Sequence, residues 1–296
     1  MKALEAMPAS AERFLLGEGP VWDGARERLL WIDIDDGAVL IGRLDGERVT
    51  VEDRLEFPGT VGAVAVAADG RLLVAAERDL VVVDPDGSRS SVMRVIPDTE
   101  QRRLNDGKTD PAGRFLVGTC PTADRNQEEW LKRIEHDGSV TTIDAGLGLS
   151  NGLAWSCDGT RCYSIDSFRH VVWVRDYDPS TGAVGERSTF VRIEDGYPDG
   201  MCSDAEDHLW IAVYGRGEVR RFSPDGNLVA VVRVAALQTT SVAFAGPERD
   251  ILVITTAGRG LTPEELSEYP DSGRIFTARV EVQGAEVSPW VRVSSD

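Results

Sequence analysis

The chain has 296 residues, 42% of them hydrophobic, and its formal net charge is −18. Nucleic acids and anionic membranes require a basic face on the protein, so this charge argues against both as partners. No stretch approaches the roughly 18 consecutive apolar residues of a membrane span, and the first ten residues lack the pattern of an export signal. We therefore expect a cytoplasmic protein, monomeric or weakly homo-oligomeric, whose charge repulsion a bound cation would reduce.

A repeated pattern runs through the chain. Each repeat has a short apolar strand, a turn rich in Asp and Gly, and a second apolar strand, as in residues 61–66, Asp69-Gly70 and residues 72–74. The repeats recur about every 42 to 48 residues, and this spacing, with about four short strands per unit, is typical of propeller blades. We therefore predict an all-β fold, a six-bladed β-propeller with four antiparallel strands per blade, formed by residues 1–296 as a single domain.

Several segments fall outside this pattern. Residues 126–133 have the spacing of a short helical turn, and residues 262–266 begin with Thr and Pro, which are typical of a helix start. The long polar loop 121–130 is a candidate rim or lid. The outer strand of the last repeat can come from residues 4–14 or from residues 287–293, and we favour the N-terminal segment.

In a propeller the first strand of each blade lines the central channel. Residues at the same position of successive repeats therefore surround the axis. In chain order this position carries Glu18, Gly62, Asn105, Asn151, Asp199 and Ser241. Two carboxylates and two carboxamides would thus converge, and such oxygen ligands suit Ca²⁺, Mg²⁺ or Mn²⁺, although Zn²⁺ also accepts carboxylate oxygens. Asn151 and Asp199 each precede a glycine and could instead cap turns, but the position they share with Glu18 favours a cation site.

Four motifs occur in a fixed order along the chain. They are Gly17-Glu18-Gly19-Pro20-Val21-Trp22, Arg103-Leu104-Asn105-Asp106-Gly107-Lys108, Ser150-Asn151-Gly152 and Tyr197-Pro198-Asp199-Gly200. Together they resemble the regucalcin/gluconolactonase (senescence marker protein) family of six-bladed propellers, and the resemblance covers essentially the whole chain. The run 255–261, with Tyr269-Pro270, is similar to the bacterial sugar-lactonase members.

This resemblance implies a ligand set and a reaction. One divalent metal ion would be held by Glu18, Asn151 and Asp199, with Ca²⁺ first and Zn²⁺, Mn²⁺, Mg²⁺ or Fe²⁺ as other choices. Arg103 and Asn105 would contact the substrate, and Asp199 would also be the catalytic base. The implied reaction is hydrolysis of a sugar (aldono-)lactone to the aldonic acid. Animal members carry an acidic residue after the Gly-Thr of the third repeat, where this chain has a cysteine, so the substrate preference is open.

Elementary chemistry fits such a reaction. A cation polarises a lactone carbonyl and stabilises the oxyanion, while Asp199 can activate water as a general base. Other catalytic designs lack their residues, since the chain has no Gly-x-Ser-x-Gly motif and its three histidines lie outside the repeat position. Two alternatives remain: a metal-dependent esterase or organophosphatase of the paraoxonase or diisopropylfluorophosphatase type, and a non-catalytic calcium-binding propeller.

Overall fold

The computed structural model describes residues 2–123 and 128–291, and most of their regular structure is β-strand. The strands of the N-terminal half are β1 (Lys2–Glu5), β2 (Met7–Pro8), β3 (Gly17–Asp23), β4 (Arg28–Asp33), β5 (Ala38–Asp45), β6 (Arg48–Glu56), β7 (Val61–Val66), β8 (Leu72–Ala76), β9 (Asp79–Val83), β10 (Arg89–Arg94), β11 (Arg102–Thr109), β12 (Phe115–Pro121), β13 (Glu129–Ile134) and β14 (Val140–Leu147). The C-terminal half adds β15 (Ser150–Trp155), β16 (Arg161–Asp166), a 3₁₀ turn (Ser167–Arg169), β17 (Val171–Asp176), β18 (Ser188–Arg192), β19 (Tyr197–Ser203), β20 (Leu209–Tyr214), β21 (Glu218–Phe222), β22 (Leu228–Arg233), β23 (Gln238–Ala245), β24 (Ile251–Ala257), helix α1 (Pro263–Glu268) and β25 (Phe276–Arg279).

Aspartate side chains close the turns between the first and second strands of two repeats. After β11, Asp110 Oδ1 accepts hydrogen bonds from the backbone N–H groups of Ala112 and Arg114, both at 2.9 Å. Asp204 makes the equivalent bonds in the turn after β19. Such side-chain bonds stabilise a tight reversal of the chain, which explains why Asp-rich turns mark the repeat in the sequence.

Within residues 2–123 and 128–291 the strands pair into five sheets. Four of these are separate four-stranded antiparallel blades of consecutive strands, β3–β6, β7–β10, β11–β14 and β15–β18. The fifth sheet has nine strands, because a pair between Tyr214 and Gln238 joins β20 to β23. The all-β propeller prediction is confirmed, but the prediction of six separate four-stranded blades is wrong, since four such blades are present and the remaining strands share one larger sheet. That sheet also contains a parallel pair, β1 with β22, which the purely antiparallel prediction did not include.

The N-terminal segment adds strands to the nine-stranded sheet. β1 pairs with β22, and β2 pairs in the antiparallel direction with β25. This confirms residues 4–14, rather than 287–293, as the source of the outer strand beside β25. In the alternative segment, Trp290 forms a parallel bridge to Ala67 in a different part of the fold, and residues 292–293 lie outside the described part of the chain.

The two helix predictions had different outcomes. Helix α1 starts as predicted, with Thr262 as its N-cap and Pro263 as its first residue. A capping box, which was not predicted, is also present: Thr262 Oγ1 accepts from the Glu265 N–H (3.2 Å) and the Glu265 carboxylate accepts from the Thr262 N–H (2.8 Å). The helical turn over residues 126–133 is wrong where the structure describes it, because β13 pairs there with β12 and β14. Residues 124–127 lie outside the described residues, and so does most of the candidate lid. Within residues 2–123 and 128–291, no helix combines the length and apolar content of a membrane span.

The first strands of the repeats surround a common axis. β3, β7, β11, β15, β19 and β23 contact one another in sequence, and β23 contacts β3 to close the ring. Apolar side chains fill the space between neighbouring sheets, and Trp31, Trp210, Phe115 and Phe276 are at most 2% exposed. Burial of one phenylalanine side chain contributes roughly 1.5–3 kcal/mol. The packed sheets therefore hold the inner strands, and the polar residues they carry, in fixed positions.

Candidate active site

Each inner strand is interrupted by a β-bulge at or next to the repeat position. In β11 the pairing register shifts between Leu104 and Gly107, and in β19 it shifts between Pro198 and Met201. The corresponding shifts in the other inner strands are Glu18/Val21, Val61/Ala63, Asn151/Leu153 and Thr239/Ser241. A bulge re-aims the side chains of its extra residues, which allows polar groups from different strands to meet at the axis.

We call Glu18, Asn105, Asn151 and Asp199 the axial site. All four side chains are buried, with exposed fractions between 5% and 9%. They form two pairs: Asn105 Nδ2 donates to Asn151 Oδ1 at 3.1 Å, and Glu18 and Asp199 lie close enough for each to affect the pKa of the other. Asp106, the residue after Asn105, lies close enough to Glu18 and Asp199 to raise the pKa of both. The structure thus places the two pairs in one site.

Glu18 is held by the backbone of the residue that follows it. Gly19 has a φ of 50°, a conformation that glycine adopts without strain, and its N–H donates to Glu18 Oε2 at 2.7 Å. Burial is the main cause that raises the pKa of Glu18 to about 8, and the charge of Asp106 adds to it. The Gly19 N–H and the Arg103 guanidinium act in the opposite direction. Glu18 is therefore a strongly desolvated carboxyl group.

Asp199 is the second buried acid of the axial site. Burial raises its pKa well above the ordinary value, and the charges of Glu18, Asp106 and Cys120 add to the effect. Its Oδ1 atom is buried and has no hydrogen-bond partner within the described residues. A buried oxygen in this state is costly unless water or a ligand satisfies it, so the atom is a candidate position for a bound group.

Asn151 is fixed by hydrogen bonds on both sides of its carboxamide. Its Oδ1 accepts from Asn105, while its Nδ2 donates to Ser167 Oγ at 3.1 Å. Ser167 Oγ in turn donates to the carbonyl oxygen of Pro198 at 2.6 Å. This chain of bonds orients the Asn151 oxygen, and it also links Asn151 to the residue directly before Asp199.

Arg103 is half-buried beside the axial site. Its Nη1 donates to Asn105 Oδ1 at 2.7 Å and to the Leu104 carbonyl oxygen at 3.0 Å. These two bonds orient the guanidinium. Because a guanidinium has five N–H donors, further N–H groups of Arg103 remain beyond these two bonds. Arg103 is the cation that favours the charged form of Glu18.

Asp106 is a component of the site that the sequence reasoning missed. If side chains alternated regularly along β11, the Asp106 side chain would lie on the face opposite to Asn105. We would then expect a structural role for Asp106. The bulge between Leu104 and Gly107 breaks this alternation, and burial raises the pKa of Asp106 also. No sequence signal marks a bulge here except the glycine that follows Asp106.

The two other repeat positions offer no ligand to the axial site. Gly62 has no side chain, and a Cβ atom there would lie 2.5 Å from the Leu104 carbonyl oxygen. Ser241 is 5% exposed, and its hydroxyl group occupies the space where a side chain on Gly200 would begin. These small residues instead allow neighbouring inner strands to approach each other closely.

The donors of the axial site fit a hard divalent cation. Glu18, Asn151 and Asp199 supply carboxylate and carboxamide oxygens, the ligands that Ca²⁺ takes in proteins. The unpartnered Oδ1 of Asp199 is one such donor. A nearby cation favours the charged form of a carboxyl group, so it would offset the burial that raises the pKa values of Glu18 and Asp199.

A second group of possible metal ligands lies in the turn between β19 and β20. Asp204, Glu206 and His208 each place one donor atom within 4.8 Å of the others. However, Asp204 Oδ2 already accepts from Trp210 Nε1 and Arg221 Nε, both at 2.8 Å, and Glu206 pairs with Arg221 at 2.7 Å. Because an arginine already neutralises these acids, this turn is a weaker candidate than the axial site.

The fold and the axial site define the chain as an all-β propeller with buried oxygen donors at its axis. Residues 16–258 match the SMP-30/Gluconolactonase/LRE-like region, and the chain belongs to this family, as the sequence motifs predicted. It is 37% identical over 245 residues to pentonolactonase XacC of Haloferax volcanii, a match that covers 82% of each chain. It is 34% identical over 286 residues to regucalcin of Xenopus laevis, which covers 93% of this chain and 94% of the relative.

Solved structures agree with the family assignment. Regucalcin from Agrobacterium tumefaciens, described as a calcium-binding protein, superposes with a TM-score of 0.88 and 28% identity over 99% of both chains. The gluconolactonase XC5397 of Xanthomonas campestris has a TM-score of 0.72 and 21% identity, with 96% of this chain and 99% of that chain covered. The second likeness concerns the fold alone.

Proposed function

We propose that this chain is a divalent-metal-dependent lactonase that hydrolyses a sugar (aldono-)lactone to the aldonic acid. The observation that carries the proposal is the buried Glu18–Asp199 pair beside Asn151. The pentonolactonase among the relatives supports the reaction class, and the calcium-binding regucalcin supports a cation. The roles assigned below to single residues are our own proposals from the geometry of the site.

Glu18, Asn151 and Asp199 would hold the metal ion. Ca²⁺ is the first choice because the donors are all oxygens, and Zn²⁺, Mn²⁺, Mg²⁺ and Fe²⁺ are the other candidates. When bound, the ion would polarise the lactone carbonyl and stabilise the negative charge that develops on its oxygen.

Asp199 is the group that we assign as general base. One carboxylate oxygen of Asp199 would hold the metal ion, and the other would accept a proton from water. The water oxygen bonds to the carbonyl carbon, the bond between that carbon and the ring oxygen breaks, and the ring oxygen leaves as a hydroxyl group after taking up the proton that Asp199 had accepted. Water is thus consumed, and one carboxylic acid and one hydroxyl group are formed.

Arg103 and Asn105 would bind the substrate. The guanidinium of Arg103 has N–H donors beyond the two that contact Leu104 and Asn105, and these suit sugar hydroxyl groups. Asn105 Nδ2 already donates to the Ser150 carbonyl oxygen and to Asn151, so its remaining capacity is one lone pair of Oδ1. We therefore assign Asn105 to the orientation of its neighbours as well as to the substrate.

The polar residues beside the axial site favour sugar lactones over the alternative substrates. An esterase or organophosphatase with apolar substrates would gain from an apolar pocket, whereas the residues at and beside the axial site, Arg103, Asn105 and Asp106, are polar. In a non-catalytic calcium-binding propeller, Asp199 would be a metal ligand only. A measured lactone hydrolysis would therefore distinguish the proposed lactonase from a calcium-binding protein without activity.

The test is hydrolysis of a panel of aldonolactones that differ in ring size and chain length. Metal-stripped protein is reloaded in turn with Ca²⁺, Mn²⁺, Zn²⁺, Mg²⁺ or Fe²⁺, and simple aryl esters and an organophosphate are assayed in parallel. We expect at least one aldonolactone to be hydrolysed in a metal-dependent manner, with esters and organophosphates slower. Turnover of no lactone with any ion would overturn the proposed function.

A further inference from the structure

Tyr197 occupies the position in β19 that Arg103 occupies in β11. In both strands the last two residues before the bulge pair with the next strand: Arg103 and Leu104 in β11, and Tyr197 and Pro198 in β19. Residues two apart on a strand lie on the same face, and Arg103 accordingly contacts Asn105 Oδ1 at 2.7 Å. In the matching register Tyr197 stands two residues before Asp199, as Arg103 stands two residues before Asn105.

Tyr197 belongs to a set of three rings, Phe168, His170 and Tyr197, which we call the aromatic wall. The Tyr197 and His170 rings stack with centroids 4.7 Å apart, and Phe168 meets Tyr197 edge-on at 6.5 Å. His170 Nδ1 lies 2.9 Å from the Gly196 carbonyl oxygen and 3.1 Å from that of Ile193. Tyr197 nevertheless stays 43% exposed, so its ring is fixed in orientation while much of its surface remains open to a ligand.

The aromatic wall is tied directly to the residues of the axial site. Phe168 lies in the 3₁₀ turn Ser167–Arg169, whose first residue accepts a hydrogen bond from Asn151 and donates one to Pro198. Pro198 separates Tyr197 from Asp199. The same short turn therefore orients Asn151 and carries one ring of the wall, so the wall cannot shift without moving the axial site.

We propose that the aromatic wall is a specificity element of the lactone site, in which the Tyr197 ring packs on an apolar C–H face of the sugar lactone. This inference rests on the proposed function. A sugar ring presents hydroxyl groups at its edge and C–H groups on its faces. Arg103 supplies donors for the hydroxyl groups, whereas Tyr197, from the equivalent position of another strand, supplies a rigid apolar surface of the kind that lines ligand pockets.

The experiment compares Tyr197→Ala and Tyr197→Phe with the wild type in the metal-loaded enzyme. An aromatic contact is worth roughly 0.5–1.5 kcal/mol, so we expect Tyr197→Ala to raise KM about two- to twelvefold. Because such a contact binds substrate and transition state alike, kcat should stay within about twofold. Tyr197→Phe keeps the ring and should keep KM. Leu228→Ala, which truncates a similarly exposed apolar side chain on β22, is the matched control and should change neither constant.

The possible outcomes distinguish failure of this inference from failure of the proposed function. An active wild type with an unchanged KM in Tyr197→Ala overturns the specificity role and leaves the lactonase proposal in place. A lower kcat at an unchanged KM, with a lower melting temperature, assigns the ring to fold stability and also overturns the role. A wild type that hydrolyses no lactone overturns both. A raised KM in Tyr197→Ala that Tyr197→Phe restores supports the inference.

Discussion

The buried carboxyl groups of Glu18 and Asp199 lie close enough for each to affect the pKa of the other, although they are on β3 and β19, strands far apart in sequence. Burial raises the pKa of Glu18 to about 8 and the pKa of Asp199 well above its ordinary value. Two buried acids so close together cannot both carry their charge at low cost without a compensating cation. Binding of a metal ion to this pair would therefore release protons.

Metal-stripped protein should lose stability as the pH rises from about 5 to about 8. The pKa of Glu18 in the folded state, about 8, lies above its ordinary value of 4.5. Its contribution to the free energy of unfolding is therefore fully present below about pH 4.5 and is lost as the pH rises through 8. Thermal unfolding of the wild type and of Glu18→Gln measures the effect. The melting temperature of Glu18→Gln, relative to the wild type, should increase with pH, and a constant difference across this range would contradict the account.

Asp199→Asn should reduce kcat by roughly 10²- to 10⁴-fold, the usual contribution of general base catalysis. Asparagine keeps an oxygen donor of similar size but cannot accept the proton from water. The assay is run at saturating metal, so that weaker metal binding does not mimic a lost base. Asp195→Asn is the control, because Asp195 is an exposed acid that pairs with Arg220, and it should retain full activity. A kcat for Asp199→Asn within tenfold of the wild type would exclude Asp199 as the base.

Ser167→Ala should weaken metal binding by about 10- to 100-fold, as is common when a residue that orients a metal ligand is removed. The change deletes the group that accepts from Asn151 Nδ2 and donates to the Pro198 carbonyl oxygen. Calorimetric titration of metal-stripped protein with Ca²⁺ gives the affinity. Ser180→Ala, at an exposed turn serine bonded to Asp178, serves as the control. Equal affinities in the two variants would show that this hydrogen-bond chain does not orient Asn151.

Arg103→Ala should raise KM for sugar lactones by roughly 10- to 100-fold, because a hydrogen bond to a charged group contributes about 1.5–3 kcal/mol. Steady-state kinetics on a lactone of the panel measures the change. Arg233→Ala removes an exposed arginine whose ion pair with Glu5 spans 3.9 Å, and this control should leave KM unaltered. If Arg103→Ala left KM within twofold, Arg103 would not be a substrate ligand.

The periodic part of the structure could be predicted from the sequence, and the non-periodic part could not. The repeat identified the strands, the inner positions of Glu18, Asn151 and Asp199, and the N-terminal contribution to the last sheet. The pair between Tyr214 and Gln238, which merges strands into one nine-stranded sheet, is a single contact without a sequence signal. The bulge that brings Asp106 toward Glu18 and Asp199 is likewise invisible to alternation, because one extra residue reverses the face that every later side chain would occupy.

Calcium titration of metal-stripped protein tests the central claim most directly, because it can distinguish the axial site from the turn that contains Asp204, Glu206 and His208. Isothermal titration is performed on the wild type, on Asp199→Asn and on Glu206→Gln, which alters a largely exposed acid of that turn. The account predicts one tightly bound ion per wild-type chain, much weaker binding in Asp199→Asn and unchanged binding in Glu206→Gln. Unchanged binding in Asp199→Asn, with loss of the ion in Glu206→Gln, would contradict it.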